Sequence, residues 1–454
     1  MININVCDVA KAIGGLLVGD SNAFIKGVST DSRNIETHNL FIPLIGENFD
    51  GHDYIEDVFA KKAACALIQK DHKRPTTIGA TYIVVEDTLK ALQDLAKYYI
   101  RTINPYVIAV TGSNGKTSAK DMLCSIMNKK FKTDKTSGNH NNEIGVPLSI
   151  LNFDKDIKCA VIEMGVEHYG DIDLLSSIVR SNVSIITTIG SAHMLNFNNS
   201  KKEIARAKLE IYTNLKDDGY MFYNKESKEI EQVLSKMEDT SKKCFAFGEG
   251  SDLRVDGEIT YEDGYTTFKT TKTNTVFKID SLGKHQVTNA LGCIGIGLKE
   301  GISEKDIADA LKETEFAKMR CDVVKIGNTI IVDDTYKSNP ESARAAIDSL
   351  EEFKGYRKVI CFSDMLDLGP NEIKMHKDLG KYIHKTKGVV DTVCTGPLSK
   401  YIIEKAKGEW FETKEECAKY LRKYLNDETV ILIKGSRATQ MDKVVDFLRK
   451  AVEE

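Results

Sequence analysis

Val107-Ile-Ala-Val-Thr-Gly-Ser-Asn-Gly-Lys-Thr117 is the stretch on which the reading of this chain turns. The apolar run Val107–Val110 predicts a buried strand, Thr111–Thr117 a tight turn, and the residues from about Ser118 a helix. Gly112 and Gly115 let backbone N–H groups turn inward around a polyphosphate, which would sit at the helix N-terminus. Lys116 is placed to reach the β- and γ-phosphates and Thr117 to offer a hydroxyl to Mg²⁺. Val110 stands where the strict phosphate-loop pattern has its first glycine. A glycine-rich turn without a nucleotide is the plain alternative, and the intact Gly-Lys-Thr between strand and helix weighs against it. Thr111, Gly112, Ser113, Asn114, Gly115, Lys116, Thr117 and Ser118 are therefore the expected ATP-binding residues.

Further strands point the same way. Cys159–Ile162 and Val183–Thr188 read as buried strands alternating with helices, the pattern of a doubly wound parallel sheet. Glu163 follows the first and His193 the second, at the end of the sheet where such folds place their ligands. Glu163 suits a hard cation through a carboxylate oxygen. Taken singly, Glu163 would be a solvated acid and His193 a loop residue.

Upstream, Phe24–Val28, Leu40–Pro43, Ala64–Ile68 and Tyr82–Val85 look strand-like, and Leu89–Ile100 reads as an amphipathic helix stopped before Asn104-Pro105. Between about 250 and 280 the pattern turns to period two, with Asp263-Gly264 as a hairpin signal. Helix resumes over His285–Leu298. Beyond Glu315 a fresh series appears: Thr329–Val332, Lys358–Phe362, Asp391–Cys394 and Val430–Ile433, each followed by helix-forming sequence. The fold class expected is α/β in three domains. These are a small α/β N-terminal domain (1–103), a central parallel-sheet ATPase of phosphate-loop type (104–314) and a C-terminal Rossmann-like domain (315–454).

The 454 residues carry 63 basic against 67 acidic side chains, a net charge of −4. So mild a balance argues against nucleic-acid binding driven by bulk charge. No apolar run is long enough to span a bilayer, and the start lacks the sections of a secretory signal, so a cytoplasmic protein without membrane insertion is expected. Ten cysteines are scattered without metal-knuckle or redox-pair spacing and read as reduced, buried thiols.

The phosphate loop resembles that of the Mur ligases, the ATP-dependent amide-forming enzymes of peptidoglycan precursor synthesis. Thr136-Ser-Gly-Asn-His-Asn-Asn-Glu-Ile-Gly-Val-Pro147 is similar to the branch that adds D-Ala-D-Ala to UDP-N-acetylmuramoyl-tripeptide. So are Glu163-Met-Gly-Val-Glu-His168, Asp333-Asp-Thr-Tyr336 with Asn339-Pro340, and Lys434-Gly-Ser-Arg437. Ser29-Thr-Asp-Ser-Arg33 and Gly46-Glu-Asn-Phe-Asp-Gly-His-Asp53 resemble the family's UDP-binding domain.

The resemblance implies that ATP phosphorylates the tripeptide carboxylate and that the amine of D-Ala-D-Ala attacks the acyl phosphate. It implies catalytic roles for Lys116, Glu163, His193 and Lys208. Thr117 and Glu163 would hold one Mg²⁺. His193 and a carbamylated Lys208 would serve a second, the carbamate turning an ammonium into an anionic oxygen ligand. Asn289 would contact adenine, Arg320 phosphate, and Asp334 the ribose or its surroundings, with ATP held between two domains that close over it. Thr30, Ser32 and Asn48 are the expected UDP-sugar residues, and Thr136, Ser137, Asn139 and Asn142 the muramoyl-peptide residues. A monomer is expected. Either lysine or meso-diaminopimelate at the third peptide position is compatible with these residues.

Two positions depart from the family pattern. Lys337 replaces an amide, to contact a substrate carboxylate or to point to solvent, and Glu167 replaces an asparagine. The competing readings are a folylpolyglutamate-type or other amino-acid-adding ligase, a nucleotide-binding paralogue without turnover, and a phosphate-loop kinase. The Thr136–Pro147 stretch weighs against the first, joint retention of Lys116, Thr117, Glu163, His193 and Lys208 against the second, and the N-terminal domain against the third.

Overall fold

The computed structural model describes residues 2–237, 243–262, 264–425 and 428–453. At its centre is a six-stranded parallel sheet. The strands run in the order Lys243–Phe247, Tyr220–Asn224, Val183–Ile186, Tyr106–Thr111, Cys159–Glu163, Thr133–Lys135. Val107, Ile108, Ala109 and Val110 are all at most 2% exposed, as a strand covered on both faces by helices requires. Strand order reverses at Tyr106–Thr111, so the C-terminal ends of this strand and its two neighbours open the crevice that a doubly wound sheet offers to ligands.

One face of the sheet packs under the helices Lys116–Asn128 and Lys284–Lys299. The second helix lies close because Gly292 has no side chain: a Cβ there would meet Ile185 Cδ1 at 2.7 Å. The other face shares an apolar core with the first hundred residues. There the helix Thr88–Ile103 begins with the Asp87 carboxylate accepting from Lys90 N–H (2.8 Å) and stops where Asn104 turns left-handed (φ +43°). It packs against Gly145–Asn152 and Asp171–Val179, and Tyr99 donates from its hydroxyl to Phe153 O (2.9 Å). Residue 104 thus marks a change of sheet and not a break in the core.

The N-terminal sheet has five strands, in the order Leu16–Val18, Tyr82–Val85, Cys65–Gln69, Leu40–Phe41, Val28–Ser29. The expected strand Phe24–Val28 is two: Gly27 (φ +104°) breaks it, Phe24–Lys26 pairing with Asn3–Asn5 and Val28–Ser29 with Leu40–Phe41. Asp50 ties this region together by accepting from both imidazoles of the stacked pair His52 and His72.

The period-two section forms a three-stranded antiparallel sheet, with Glu262 opposite Tyr265; Asp263 lies outside the described residues. The C-terminal sheet has six strands, in the order Asp322–Ile326, Thr329–Asp334, Thr429–Lys434, Arg357–Phe362, Val389–Thr395, Glu409–Phe411. Its two edge strands escaped the sequence reading, being short or half-exposed and lacking a continuous apolar run. Eight of the ten free thiols are buried; Cys7 is half-buried and Cys244 exposed. Among the described residues, no helix is long and apolar enough to cross a membrane.

Candidate active site

The strand Tyr106–Thr111 delivers the phosphate loop. Thr111 donates from Oγ1 to Met164 O (2.9 Å), locking two strand ends together, and Ser113 N–H donates to Thr188 O (2.7 Å). Gly112 leaves the space that the Thr187 side chain fills, and Gly115, left-handed at φ +79° and heading the helix Lys116–Asn128, does the same for Asn289. Ser113 Oγ is buried with no partner among the described residues, a group left over for a phosphate oxygen. Lys116 folds back over the loop and donates to Gly112 O (2.9 Å). Burial, and then the neighbouring Lys337, push the pKa of its ammonium down to about 8.

Beside the loop, Thr117 Oγ1 donates to Glu163 Oε2 (2.9 Å) and Asn141 Nδ2 to Glu163 Oε1 (2.8 Å). Glu163 N–H donates to Thr136 Oγ1 (3.0 Å), and the buried Lys120 lies 3.5 Å from Oε2. Burial opposes ionisation of Glu163, but Lys116, Lys120 and the Asn141 amide outweigh it and hold the carboxyl below its ordinary range. The Thr117 and Glu163 oxygens fit Mg²⁺, because their separation matches the edge of about 3 Å in an octahedral shell at 2.0–2.1 Å.

His193 is left-handed (φ +60°) at the start of the short turn Met194–Phe197. Its Nε2 accepts from the Lys337 ammonium (3.1 Å). Lys337 thus turns inward, and neither of the two expectations for it describes this contact. Burial lowers its pKa, while Asp367 and Glu167 act the other way, so the two departures from the family pattern face one another electrostatically. Burial, Lys337 and Lys116 push His193 down to about 3, which keeps the imidazole neutral and able to ligate a metal. Lys208, on the helix Lys201–Thr213, is 3% exposed and has no hydrogen-bond or ion-pair partner among the described residues. Burial, then Lys116 and Lys337, drive it far below the ordinary lysine range.

The C-terminal sheet closes the site. Arg320 stacks its guanidinium over Tyr336, 4.0 Å from the ring centre, with Nε buried and unpartnered. Asp334 accepts from the buried Lys434 (2.6 Å), which also donates to Lys337 O (2.8 Å). Asn114 of the phosphate loop and Asn339, which caps the helix Pro340–Ser349, exchange amide hydrogen bonds (2.7 and 3.3 Å). Glu341 accepts from Ser191 N–H (3.1 Å), Ser191 Oγ (2.6 Å) and Lys201 (2.8 Å).

One cavity of about 1280 Å³ gathers most of the expected residues. It is lined by the loop from Gly112 to Ser118, by Glu163, His193 and Lys208, by Asn139 and Asn142, and by Asn289, Arg320 and Asp334. Thr111, Thr136 and Ser137 are not part of the lining: Thr111 bonds Met164 O, Thr136 serves Glu163 N–H, and the exposed Ser137 donates from its N–H to Ser149 Oγ (3.4 Å). Thr30, Ser32 and Asn48 lie in the N-terminal domain outside this cavity. Lys120, Asn141, Ser191 and Glu341 were not singled out from sequence. Lys120 had a signal, four residues after Lys116 on the same helix; Glu341 had none, since its partners come from a distant segment.

The profiles of three family domains match in chain order. They are Mur ligase family, catalytic domain (residues 24–100), Mur ligase middle domain (110–297), and Mur ligase, glutamate ligase domain (319–437). The chain is 36% identical over 460 residues to the UDP-N-acetylmuramoyl-tripeptide–D-alanyl-D-alanine ligase of Bacillus subtilis, with 99% of each chain covered. Among solved structures it is similar to MurF from Acinetobacter baumannii (TM-score 0.90, 31% identity, 99% of each chain). It is also similar to the MurF ligase of Thermotoga maritima in complex with ADP (TM-score 0.84, 26% identity, 94% of this chain and 98% of that one). With a phosphate loop, a metal-type carboxylate and a cationic cavity shared by two sheets, and with similarity along its whole length, the chain belongs to the Mur ligase family.

Proposed function

We propose that this chain is an ATP-dependent ligase that joins D-alanyl-D-alanine to UDP-N-acetylmuramoyl-tripeptide through an acyl phosphate. The observation that carries the reading is its end-to-end similarity to a ligase of that name, with Lys116, Glu163 and Lys208 meeting in one cavity.

A carboxylate is a poor electrophile, and transfer of a phosphoryl group to its oxygen makes that oxygen a leaving group. Lys116, Arg320 and the loop N–H groups hold the polyphosphate and stabilise charge in transfer. Asn289, packed on Gly115, lies on the adenine side, and Asp334 beside Arg320 lies towards the ribose. Thr117 and Glu163 are the ligands for one Mg²⁺; His193 and Lys208 are those for a second. Bound Mg²⁺ supplies charge neutralisation at the phosphoryl oxygens. The lowered pKa of Lys208 favours the free amine, the form that adds to CO₂ to give a carbamate and a proton.

The muramoyl peptide runs along Asn139 and Asn142, on a loop braced by Thr136 and Ser137, and Thr30, Ser32 and Asn48 take the UDP-sugar. Domains of 1–103, 104–314 and 315–454 divide these tasks, and the Asn114–Asn339 and Glu341–Ser191 contacts keep water from the acyl phosphate. The chain works in the cytoplasm as a monomer.

Phosphate release from ATP, with UDP-muramoyl-tripeptide and D-Ala-D-Ala each omitted in turn, tests the reading. Release needs both, and the product is heavier by one dipeptide. Nucleotide binding without turnover on either tripeptide variant would refute it.

A further inference from the structure

Lys120 is a buried charge beside this cavity for which the reaction above has no use. It is 2% exposed on the helix after the phosphate loop. Its ammonium donates to Gly138 O (2.8 Å) and lies 3.5 Å from Glu163 Oε2, the oxygen that Thr117 also engages. A buried ammonium costs stability unless it is paired, and an apolar side chain would fill the same volume without that cost. What the charge provides is a bridge. Gly138 belongs to the loop whose Asn139 and Asn142 line the cavity. Glu163 already holds that loop at two points, through Asn141 Nδ2 on Oε1 and through Thr136 Oγ1 under its N–H. Lys120 supplies a third tie, from the metal-facing oxygen to the crown of the loop.

We propose that Lys120 is a positioning residue that joins the metal-facing oxygen of Glu163 to the Thr136–Asn142 loop, trading divalent-ion affinity for order in the peptide-binding loop. The assignment of Glu163 to Mg²⁺ and of the loop to the peptide rests on the proposed function. A cation on Oε2 repels a divalent ion arriving at the same oxygen, while its bond to Gly138 O holds the loop against the site. Removal of the charge therefore has opposite effects on two measurable quantities, whereas simple loss of packing would weaken both.

The test compares wild type, Lys120→Met and Lys120→Arg. Mn²⁺ is titrated into the ADP complex, followed by electron paramagnetic resonance, and amide hydrogen exchange is read across residues 136–145. In Lys120→Met, Mn²⁺ should bind at least about fivefold tighter, exchange in the loop should quicken, and KM for the UDP-tripeptide should rise with a smaller change in kcat. Lys120→Arg should move all three back towards wild type. Unchanged Mn²⁺ affinity, or Mn²⁺ affinity and loop protection falling together, would overturn the proposal. Should Lys120→Met not fold, the arginine variant decides: it must keep Mn²⁺ affinity and loop protection near wild type, and loss of either overturns the proposal. Mn²⁺ binding and exchange need neither UDP-tripeptide nor dipeptide, so an error in the assigned substrates shows as absent wild-type turnover and leaves this comparison intact.

Discussion

Lys116→Met should make the nucleotide-free protein more stable while abolishing turnover. Burial first, then Lys337 and Arg320, bring the pKa of Lys116 down from 10.5 to about 8, against an opposing pull from Glu163. At 1.36 kcal/mol per pH unit this is a cost of about 3 kcal/mol for keeping the ammonium charged in the folded state. The variant also loses the hydrogen bond to Gly112 O, worth about 1–2 kcal/mol. The net gain is about 1–2 kcal/mol, or about 2–8 °C in the melting temperature of a unit this size.

The sign with pH follows from the same shift. Below about 8 both folded and unfolded chains hold the proton and the cost is fully present. Between about 8 and 10.5 the unfolded chain keeps a proton that the folded one has lost, so wild-type stability rises with pH from this group. The variant lacks that rise. Differential scanning fluorimetry from pH 6.5 to 10 measures both effects. Addition of a non-hydrolysable ATP analogue at a hundred times its Kd should stabilise wild type by about 2.7 kcal/mol and reverse the order. A nucleotide-free variant no more stable than wild type at pH 7, with the same pH slope, would refute the argument that the site stores unrelieved positive charge.

Lys337→Asn frees Nε2 of His193 and removes a neighbouring cation, so a second Mn²⁺ should bind the nucleotide complex at least about fivefold tighter, read as stoichiometry by calorimetry. Glu341→Ala severs the contacts to Ser191 and Lys201. It should raise KM for ATP about three- to tenfold and enlarge the radius of gyration in X-ray scattering, with melting little changed. Ile162→Ala, at a wholly buried position of the central sheet, should cost about 2–5 kcal/mol in urea unfolding with the ligand dependence of stability retained.

Much of the fold was legible because burial and hydrogen bonding leave periodic traces. The run Val107–Val110 marked the central strand, the Gly112–Thr117 turn marked the helix start, and Tyr82–Val85 emerged with the bounds read from sequence. Strands lacking a continuous apolar run, such as Thr133–Lys135 and Asp322–Ile326, left no such trace, for an edge strand buries too little to need one. The strand-end position of Glu163 was legible because a parallel sheet opens its crevice at one end; His193 lies beyond its strand, at the head of the turn Met194–Phe197, and lines the same cavity. The inward turn of Lys337 was not legible, since its partner lies on another sheet.

The sequence by itself determined the elements, their order and the chemistry of the phosphate loop, all properties that repeat over a few residues or follow from one glycine or lysine in a turn. Only the tertiary structure decided which charges meet. Lys116, Lys208 and Lys337 come from three distant segments and share one cavity with Glu163. Among the described residues Lys208 is left unpaired there, Lys337 is held on an imidazole and Lys120 on a carbonyl. The reason is that local periodicity records which side of an element is buried, whereas the energy of a buried charge depends on groups that folding alone brings within a few ångströms.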